Sequence, residues 1–233
     1  MNASKNTSAS KLDADWVNDP ERHRGHIPAI VLAGGLSRRM GGVDKTLMKL
    51  GGKPMISHAL DCLEKQAGPL MINANGDANR YGKLGYPVVA DIYEGHAGPL
   101  AGILTAMRWA QKTAPNAKWI ATVAADTPFL PADLVSRLLS AAGHNFSTIA
   151  LAFSGERIHP VVGIWPLNLA DDLEAFLNNE KSRKVLTFVD NYTLAKVPFG
   201  GINVAGIEVD PFFNVNTPED LEIAEAVLAE MNN

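Results

Sequence analysis

Short apolar runs alternate along this chain with longer stretches in which apolar residues recur at helical spacing. The runs have the length of buried strands, and each ends at glycine, proline or polar residues, as strands of a parallel sheet do. The expected strands are Ile27–Ala33, Leu70–Ala74, Pro87–Ala90, Trp119–Ala124, Thr148–Phe153, Val161–Trp165 and Thr193–Pro198. The expected helices are Pro54–Gln66, Ala78–Leu84, Leu100–Lys112, Pro131–Ala142, Asn168–Asn178 and Pro218–Met231. This alternation predicts an α/β fold whose mostly parallel sheet is covered by helices.

Three segments fall outside this alternation. Residues 1–26 are polar and lack the apolar core of a signal peptide, so we expect a flexible tail before a single domain over 27–233. The polar sequence SGERIH, residues 154–159, predicts the turn between two adjacent strands. Gly200–Gly206 is the internal segment expected to be least regular.

Composition narrows the function classes. Of the 233 residues, 46% are apolar and 20% are charged, which suits one sizeable domain. The net charge of −4 predicts no nonspecific nucleic-acid surface, and no run approaches the roughly 18 apolar residues of a membrane span. Because Cys62 is the sole cysteine, no intrachain disulfide can form, and we expect a buried structural thiol and a reducing, cytoplasmic location.

The most informative segment is Ile30–Lys45, IVLAGGLSRRMGGVDK, in which an apolar run ends abruptly in two glycines. Glycine lets the backbone approach a ligand closely, and the cations Arg38 and Arg39 suit a polyphosphate. The segment lacks the GKS or GKT of a P-loop and the GxGxxG of a dinucleotide fingerprint. It predicts nucleotide binding at the carboxyl end of the first strand, with a plain glycine turn as the alternative.

Four expected strands end in glycine or polar residues. These ends are LAGG at Leu32–Gly35, NAN at Asn73–Asn75, AD at Ala90-Asp91 and ADTP at Ala125–Pro128. In a parallel sheet such ends share one edge, so we expect them to converge although they are distant in sequence. Asn73 and Asn75 either contact a base or sugar or only make Asx turns.

Asp126 is the sharpest single candidate, because it follows a strand that should be buried on both faces. A carboxylate there is costly unless it is hydrogen-bonded or metal-bound, and Mg²⁺ prefers few carboxylates together with phosphates and water. We expect a Mg²⁺ ligand, with a helix cap as the alternative. Asp91 is either functional or a solvated turn residue. Lys45 is either a phosphate ligand or a surface lysine, and His159 is expected to be a structural histidine.

A series of motifs along the chain resembles a known family. In order they are LAGGLSRRMGGVDK, GKPM, NAN, GPLAG, ADTPFLP, HPVV and VNTPED. Together they closely resemble the molybdenum cofactor guanylyltransferases, over Ile27 to about Leu228. The resemblance implies a three-layer, Rossmann-like nucleotidyltransferase fold, with a mostly parallel sheet and helices on both faces. It also implies transfer of GMP from GTP to the terminal phosphate of molybdopterin, with release of pyrophosphate.

The resemblance implies roles for individual residues. The matching positions are Leu32, Ala33 and Gly34 in the nucleotide-binding loop, Lys45 at the phosphates, Asn73 and Asp91 in the nucleotide site, and Asp126 as the residue that binds GTP and Mg²⁺. For that chemistry, Arg39 and Lys45 are expected to hold the β- and γ-phosphates while Gly34 and Gly35 donate backbone N–H groups. Asn214 and Asn216 are secondary candidates for the acceptor side, or only form a turn before the last helix.

The expected cofactor is Mg²⁺, with Mn²⁺ as an alternative, and the expected substrates are GTP and molybdopterin. Molybdenum cofactor insertion proteins and acceptor apo-enzymes are further candidate partners of a chain expected to be monomeric. A CTP-dependent molybdopterin cytidylyltransferase, a sugar-1-phosphate nucleotidylyltransferase and a non-catalytic nucleotide-binding protein are the alternatives. Gly34, in LAGG rather than LAAG, favours guanine, although a missing methyl group can also simply make room.

Overall fold

The computed structural model describes residues 26–34, 44–93, 98–143, 145–179 and 183–231. The strands are β1 Ala29–Leu32, β2 Lys49–Leu50, β3 Lys53–Pro54, β4 Leu70–Asn73, β5 Val88–Val89, β6 Trp119–Ala124, β7 Thr148–Ser154, β8 Arg157–Pro166, β9 Thr193–Pro198, β10 Ile202–Val204 and β11 Ile207–Val209. The α-helices are α1 Met55–Glu64, α2 Pro99–Thr113, α3 Leu134–Ala142, α4 Ala170–Asn179, α5 Val185–Val189 and α6 Pro218–Met231. Short 3-10 helices span Lys45–Leu47, Ala78–Leu84 and Leu167–Leu169.

Within these residues a seven-stranded sheet has the order β5-β4-β1-β6-β8-β7-β9. Its first four strands are mutually parallel, β7 is parallel to β9, and β8 runs antiparallel between β6 and β7. Leu32 pairs in register with both Asn73 and Ala124, and Asn73 pairs with Val89. The carboxyl ends of the four parallel strands therefore lie in one row.

Helices cover both faces of the sheet. On one face α1 and α3 pack against Val31, with Leu138 fully buried among them. On the other face α2, α4 and α5 pack against Ile30, with Leu104 fully buried. Ile30 and Val31 join opposite layers because successive side chains of a strand point to opposite faces. The predicted three-layer α/β fold is confirmed.

The predicted helices begin and end within a few residues of the observed ones. The helix expected over Pro54–Gln66 is α1, and the helix expected from Pro131 begins at Leu134, after two turn residues. The hairpin β2–β3 and the short helix α5 are additions that the sequence pattern did not indicate. Strands of two residues and a helix of five are too short to leave a periodic signal.

Two segments expected to be irregular are more regular than predicted. The SGERIH turn is confined to Gly155 and Glu156, at φ 52° and 60°, because β8 already begins at Arg157. Gly200–Gly206 is largely ordered as well, since β10 pairs with β11 in a hairpin. Polar and glycine residues also suit the exposed end of a hairpin, so composition alone did not separate turn from strand.

The predicted tail over 1–26 lies, apart from His26, outside the described residues, and so do Gly35, Arg38 and Arg39. No helix in the described ranges is long and apolar enough to cross a membrane.

Candidate active site

A cavity of about 580 Å³ opens at the carboxyl edge of the parallel strands. Of the predicted site residues, those on its wall are Leu32, Ala33, Gly34, Lys45, Asn73, Asp91, Asp126 and Asn214. The candidate Asn75 also lies on the wall, as do Gly98, Pro99 and Gly102 of the GPLAG motif and Val161 of HPVV. Thr46 and Arg80 line the cavity as well, and no sequence signal had indicated them. The predicted convergence of distant strand ends is therefore observed, while the chemical role of each residue stays a prediction.

Asp126 and Lys45 form an ion pair on the cavity wall. The Lys45 Nζ lies 2.5 Å from Asp126 Oδ2, and the two side chains are only 18% and 17% exposed. The Nδ2 of Asn214 donates to Asp126 Oδ1 at 2.8 Å. The carboxylate at the exit of β6 is thus stabilised by an ion pair and an amide. The helix-cap alternative for Asp126 is wrong, because the next helix begins at Leu134.

The segment Asn214–Asn216 brings two amides to this ion pair. The Val215 backbone N–H donates to the Asp126 carbonyl at 2.9 Å, and Asn216 Oδ1 accepts from Lys45 Nζ at 2.7 Å. The backbone N–H of Asn216 donates to Asp220 in the first turn of α6 at 2.9 Å, which lowers the pKa of that carboxyl. The segment is therefore an irregular stretch before the last helix, and its two asparagine side chains contact Asp126 and Lys45. A role at the acceptor stays a prediction.

The residue before Lys45 is held by a polar network. Asp44 Oδ1 accepts from the Thr46 hydroxyl at 2.6 Å, and its Oδ2 accepts from the Tyr81 hydroxyl at 2.7 Å. Arg80 Nε lies 3.2 Å from the same Oδ2. Tyr81 is fully buried, and burial raises its pKa to about 12, so the phenol stays a donor at neutral pH. Asp44 therefore ties the end of the glycine-rich segment to the 3-10 helix Ala78–Leu84.

Asp91 is oriented by two asparagines rather than freely solvated. Asn73 Nδ2 donates to Asp91 Oδ1 at 3.0 Å and also to the Val89 carbonyl at 3.1 Å. Asn75 Nδ2 donates to Asp91 Oδ2 at 2.7 Å, and its Oδ1 accepts from the Asp91 backbone N–H at 2.9 Å. Neither amide caps its own turn as the Asx alternative required. Both carboxylate oxygens of Asp91 are instead held in place just beyond the carboxyl end of β5.

Gly102 allows α2 to approach the strand ends closely. A Cβ at this position would lie 2.4 Å from Asn73 Oδ1 and 2.8 Å from Leu32 Cδ2, closer than real side chains come. A methyl group there would displace the amide that orients Asp91.

Gly102→Ala is therefore expected to lower the free energy of unfolding by about 1–3 kcal/mol, the usual cost of overpacking, and to weaken nucleotide binding. Urea denaturation and equilibrium binding of GTP with Mg²⁺ measure the two effects. Gly82→Ala is the matched control, because a Cβ at Gly82 would meet no described atom within 4 Å. Equal stability and affinity for the two variants would contradict the proposed close approach.

His159 is the structural histidine that the sequence predicts. It is buried in β8, with Nε2 2.7 Å from the Ser154 Oγ, and the Ser154 hydroxyl donates to Asp210 Oδ1 at 2.7 Å. The Ser154 oxygen therefore accepts from the His159 Nε2–H. Burial lowers the pKa of His159, so the ring is neutral at pH 7. It does not line the cavity.

The side-chain donors around Asp126 suit a metal ion that is bound by the protein and by a phosphate together. No group of three or more His, Cys, Asp and Glu side chains placed to bind a metal occurs among the described residues. Asp126 is a single carboxylate facing a cavity, and Mg²⁺ typically takes one or two carboxylates together with phosphate oxygens and water. The residues present therefore fit Mg²⁺ delivered with a nucleotide.

Comparisons with known proteins identify the family of this chain. The family model of the MobA-like NTP transferase domain matches residues 29–195, from β1 into β9. A molybdenum cofactor guanylyltransferase of Mesorhizobium japonicum is 45% identical over 210 residues, covering 90% of this chain and 100% of that protein. One from a Bradyrhizobium species is 45% identical over 203 residues, covering 87% and 93%.

Solved structures share the fold at lower identity. The molybdopterin-guanine dinucleotide biosynthesis protein A of Archaeoglobus fulgidus superposes with a TM-score of 0.67 at 23% identity, covering 88% of this chain and 100% of that one. A Mycobacterium tuberculosis protein solved in complex with manganese superposes with a TM-score of 0.62 at 20% identity, covering 86% and 98%.

Proposed function

The chain belongs to the molybdenum cofactor guanylyltransferases, which are built on the MobA-like NTP transferase domain, and we propose that it transfers GMP from GTP to the terminal phosphate of molybdopterin. The products are the guanine dinucleotide form of the cofactor and pyrophosphate. The observation that carries the proposal is the Asp126–Lys45 ion pair on the cavity at the carboxyl edge of the sheet. In this proposal Asp126 supplies the anion that would bind the metal, and Lys45 supplies the cation that would bind the phosphates.

In this proposal the base of GTP lies toward Asp91. Guanine presents two adjacent donors, N1–H and the N2 amino group, to a carboxylate. Cytosine presents one amino donor beside the N3 acceptor, which a carboxylate repels. Because Asn73 and Asn75 fix both oxygens of Asp91, the carboxylate is oriented before the base arrives, which supports GTP over CTP.

The triphosphate lies toward Lys45 and Asp126. Phosphoryl-type transfer needs in-line placement and charge neutralisation more than covalent catalysis. Asp126 would hold Mg²⁺, or Mn²⁺ in its place, whose charge stabilises the phosphate oxygens and the leaving pyrophosphate. Lys45 would donate to the β- and γ-phosphates. The attacking phosphate of molybdopterin is already ionised at neutral pH, so no general base is required. Gly35 and Arg39 are proposed to complete the phosphate site.

A pyrophosphate-release assay tests this function. Pyrophosphate is expected only when GTP, molybdopterin and a divalent cation are all present. Release that does not depend on molybdopterin would indicate a nucleotide hydrolase instead. The absence of release from folded protein under saturating substrates would favour the non-catalytic nucleotide-binding alternative.

Gly34→Ala is expected to reduce the preference for GTP over CTP roughly tenfold, a change of about 1.4 kcal/mol in relative affinity. A Cβ at this exposed position meets no described atom within 4 Å, and its φ lies outside the left-handed region, so the fold tolerates alanine. The added methyl group would enter the cavity, where it restricts a purine more than a pyrimidine. Equilibrium binding of both nucleotides with Mg²⁺ measures the ratio. An unchanged ratio would show that Gly34 does not contribute to the preference for GTP over CTP.

A further inference from the structure

The ammonium group of Lys45 is fully occupied by the protein itself. Its Nζ lies 2.5 Å from Asp126 Oδ2, 2.7 Å from Asn216 Oδ1 and 3.4 Å from the Val215 carbonyl. A lysine ammonium has three N–H donors, and here each has an acceptor. In this arrangement Lys45 has no donor left for a phosphate.

Asp126 is occupied in the same way. One oxygen accepts from Asn214, the other from Lys45, and the ion pair is less than one fifth exposed. Arg80, the other cation that the structure describes on the cavity, is paired with Asp44 instead. The negative charge of Asp126 is therefore balanced by Lys45 alone among these residues.

We propose that Lys45 is an internal counter-cation, which holds Asp126 until a metal–nucleotide complex binds and then moves to the phosphates. The inference rests on the proposed function, because it assigns Asp126 to the metal and Lys45 to the nucleotide. An ammonium and a divalent cation on one carboxylate repel each other, and a triphosphate offers the ammonium a stronger anion. The flexible lysine stem permits the move, and Asn216 is a neutral acceptor that keeps the ammonium within reach.

This exchange of partners by Lys45, from Asp126 to the phosphates, makes metal binding and nucleotide binding depend on each other. Without a nucleotide, Lys45 competes with the metal for Asp126. Without a metal, Asp126 competes with the phosphates for Lys45. Only the complex of both satisfies the two side chains at once, so the ion pair disfavours unproductive binding of either ligand alone.

A double-mutant cycle on metal-free nucleotide binding tests the exchange. The dissociation constant of GTP in the presence of EDTA is measured calorimetrically for the wild type, Lys45→Met, Asp126→Asn and the double variant. If the two charges acted independently, Lys45→Met would weaken binding by the same factor in both backgrounds. The exchange predicts a loss roughly tenfold larger in the Asp126→Asn background, where the ammonium is free to bind phosphate. Equal losses would overturn it.

Manganese binding to the nucleotide-free protein gives a second readout, followed by electron paramagnetic resonance. Lys45→Met is expected to bind Mn²⁺ roughly tenfold more tightly than the wild type, because the competing cation is gone. Lys53→Met is the matched control, since Lys53 pairs with the exposed Asp61 away from the cavity. Affinity no higher in Lys45→Met than in this control would contradict the proposal.

These measurements separate the exchange from the proposed function. A wild type that releases pyrophosphate from GTP and molybdopterin, but shows equal losses in the cycle, keeps the function and loses the exchange. A folded wild type that binds GTP neither with nor without Mg²⁺ overturns both.

Discussion

Asp126→Asn is expected to lower the rate of GMP transfer by roughly a thousandfold while the fold survives. The substitution keeps the size of the side chain but removes the charge that would hold Mg²⁺ against the phosphates. The fold should persist, because the backbone carbonyl still accepts from the Val215 N–H and the amide oxygen of asparagine still offers Lys45 or Asn214 a neutral acceptor. Steady-state turnover and thermal melting of the purified variant measure the two effects.

Asp61→Asn is the control for Asp126. Asp61 is an exposed carboxylate of α1 that also pairs with a lysine, so the same chemical change is made away from the cavity. Its transfer rate should stay within about twofold of the wild type, as is usual for surface substitutions. Near-normal transfer by a folded Asp126→Asn variant would contradict the metal role.

Lys45→Ala is expected to raise the KM for GTP roughly thirtyfold, which corresponds to the loss of a charge-assisted hydrogen bond of about 2 kcal/mol. The substitution also leaves Asp126 without its counter-cation, which adds repulsion toward the triphosphate. Initial rates at varied GTP and saturating molybdopterin measure the effect.

Lys53→Ala is the matched control for Lys45, because it removes a lysine–aspartate pair from an exposed surface. GTP kinetics in this control should match the wild type. If Lys45→Ala also leaves the GTP kinetics unchanged, the phosphate assignment is wrong.

The position of the site could be predicted because it depends on topology. Leu32, Asn73 and Ala124 end neighbouring parallel strands, and parallel strand ends meet at one edge whatever the details of packing. Asp126 could be singled out for the same reason, since a carboxylate at the exit of a buried strand needs a partner.

The partners of these residues could not be predicted, because they depend on contacts between distant segments. Asp44 binds the hydroxyl of Tyr81, which lies in a helix separated from it by two hairpin strands, α1 and β4. The local sequence around Asn73 and Asn75 is the same whether their amides cap a turn or, as observed, orient Asp91. Only the packing of β4 beside β5 decides between the two.

The approach of Asn214 and Asn216 to Asp126 and Lys45 also has no local signal. The sequence indicates a turn before α6 but not which face of the sheet it reaches. The capping contacts of Asp220 and the hydrogen bond from Val215 to the Asp126 carbonyl, just after β6, set that position together. Side chains of a C-terminal turn thereby meet a lysine near the start of the chain.

The function of this protein is defined by which nucleotide it transfers and to which acceptor. The most direct test incubates the protein with Mg²⁺, molybdopterin and equal concentrations of GTP and CTP, and identifies the pterin product by mass spectrometry. The guanine dinucleotide is expected as the main product, formed together with an equal amount of pyrophosphate. A cytosine dinucleotide as the main product, or unmodified molybdopterin after prolonged incubation with folded protein, would contradict it.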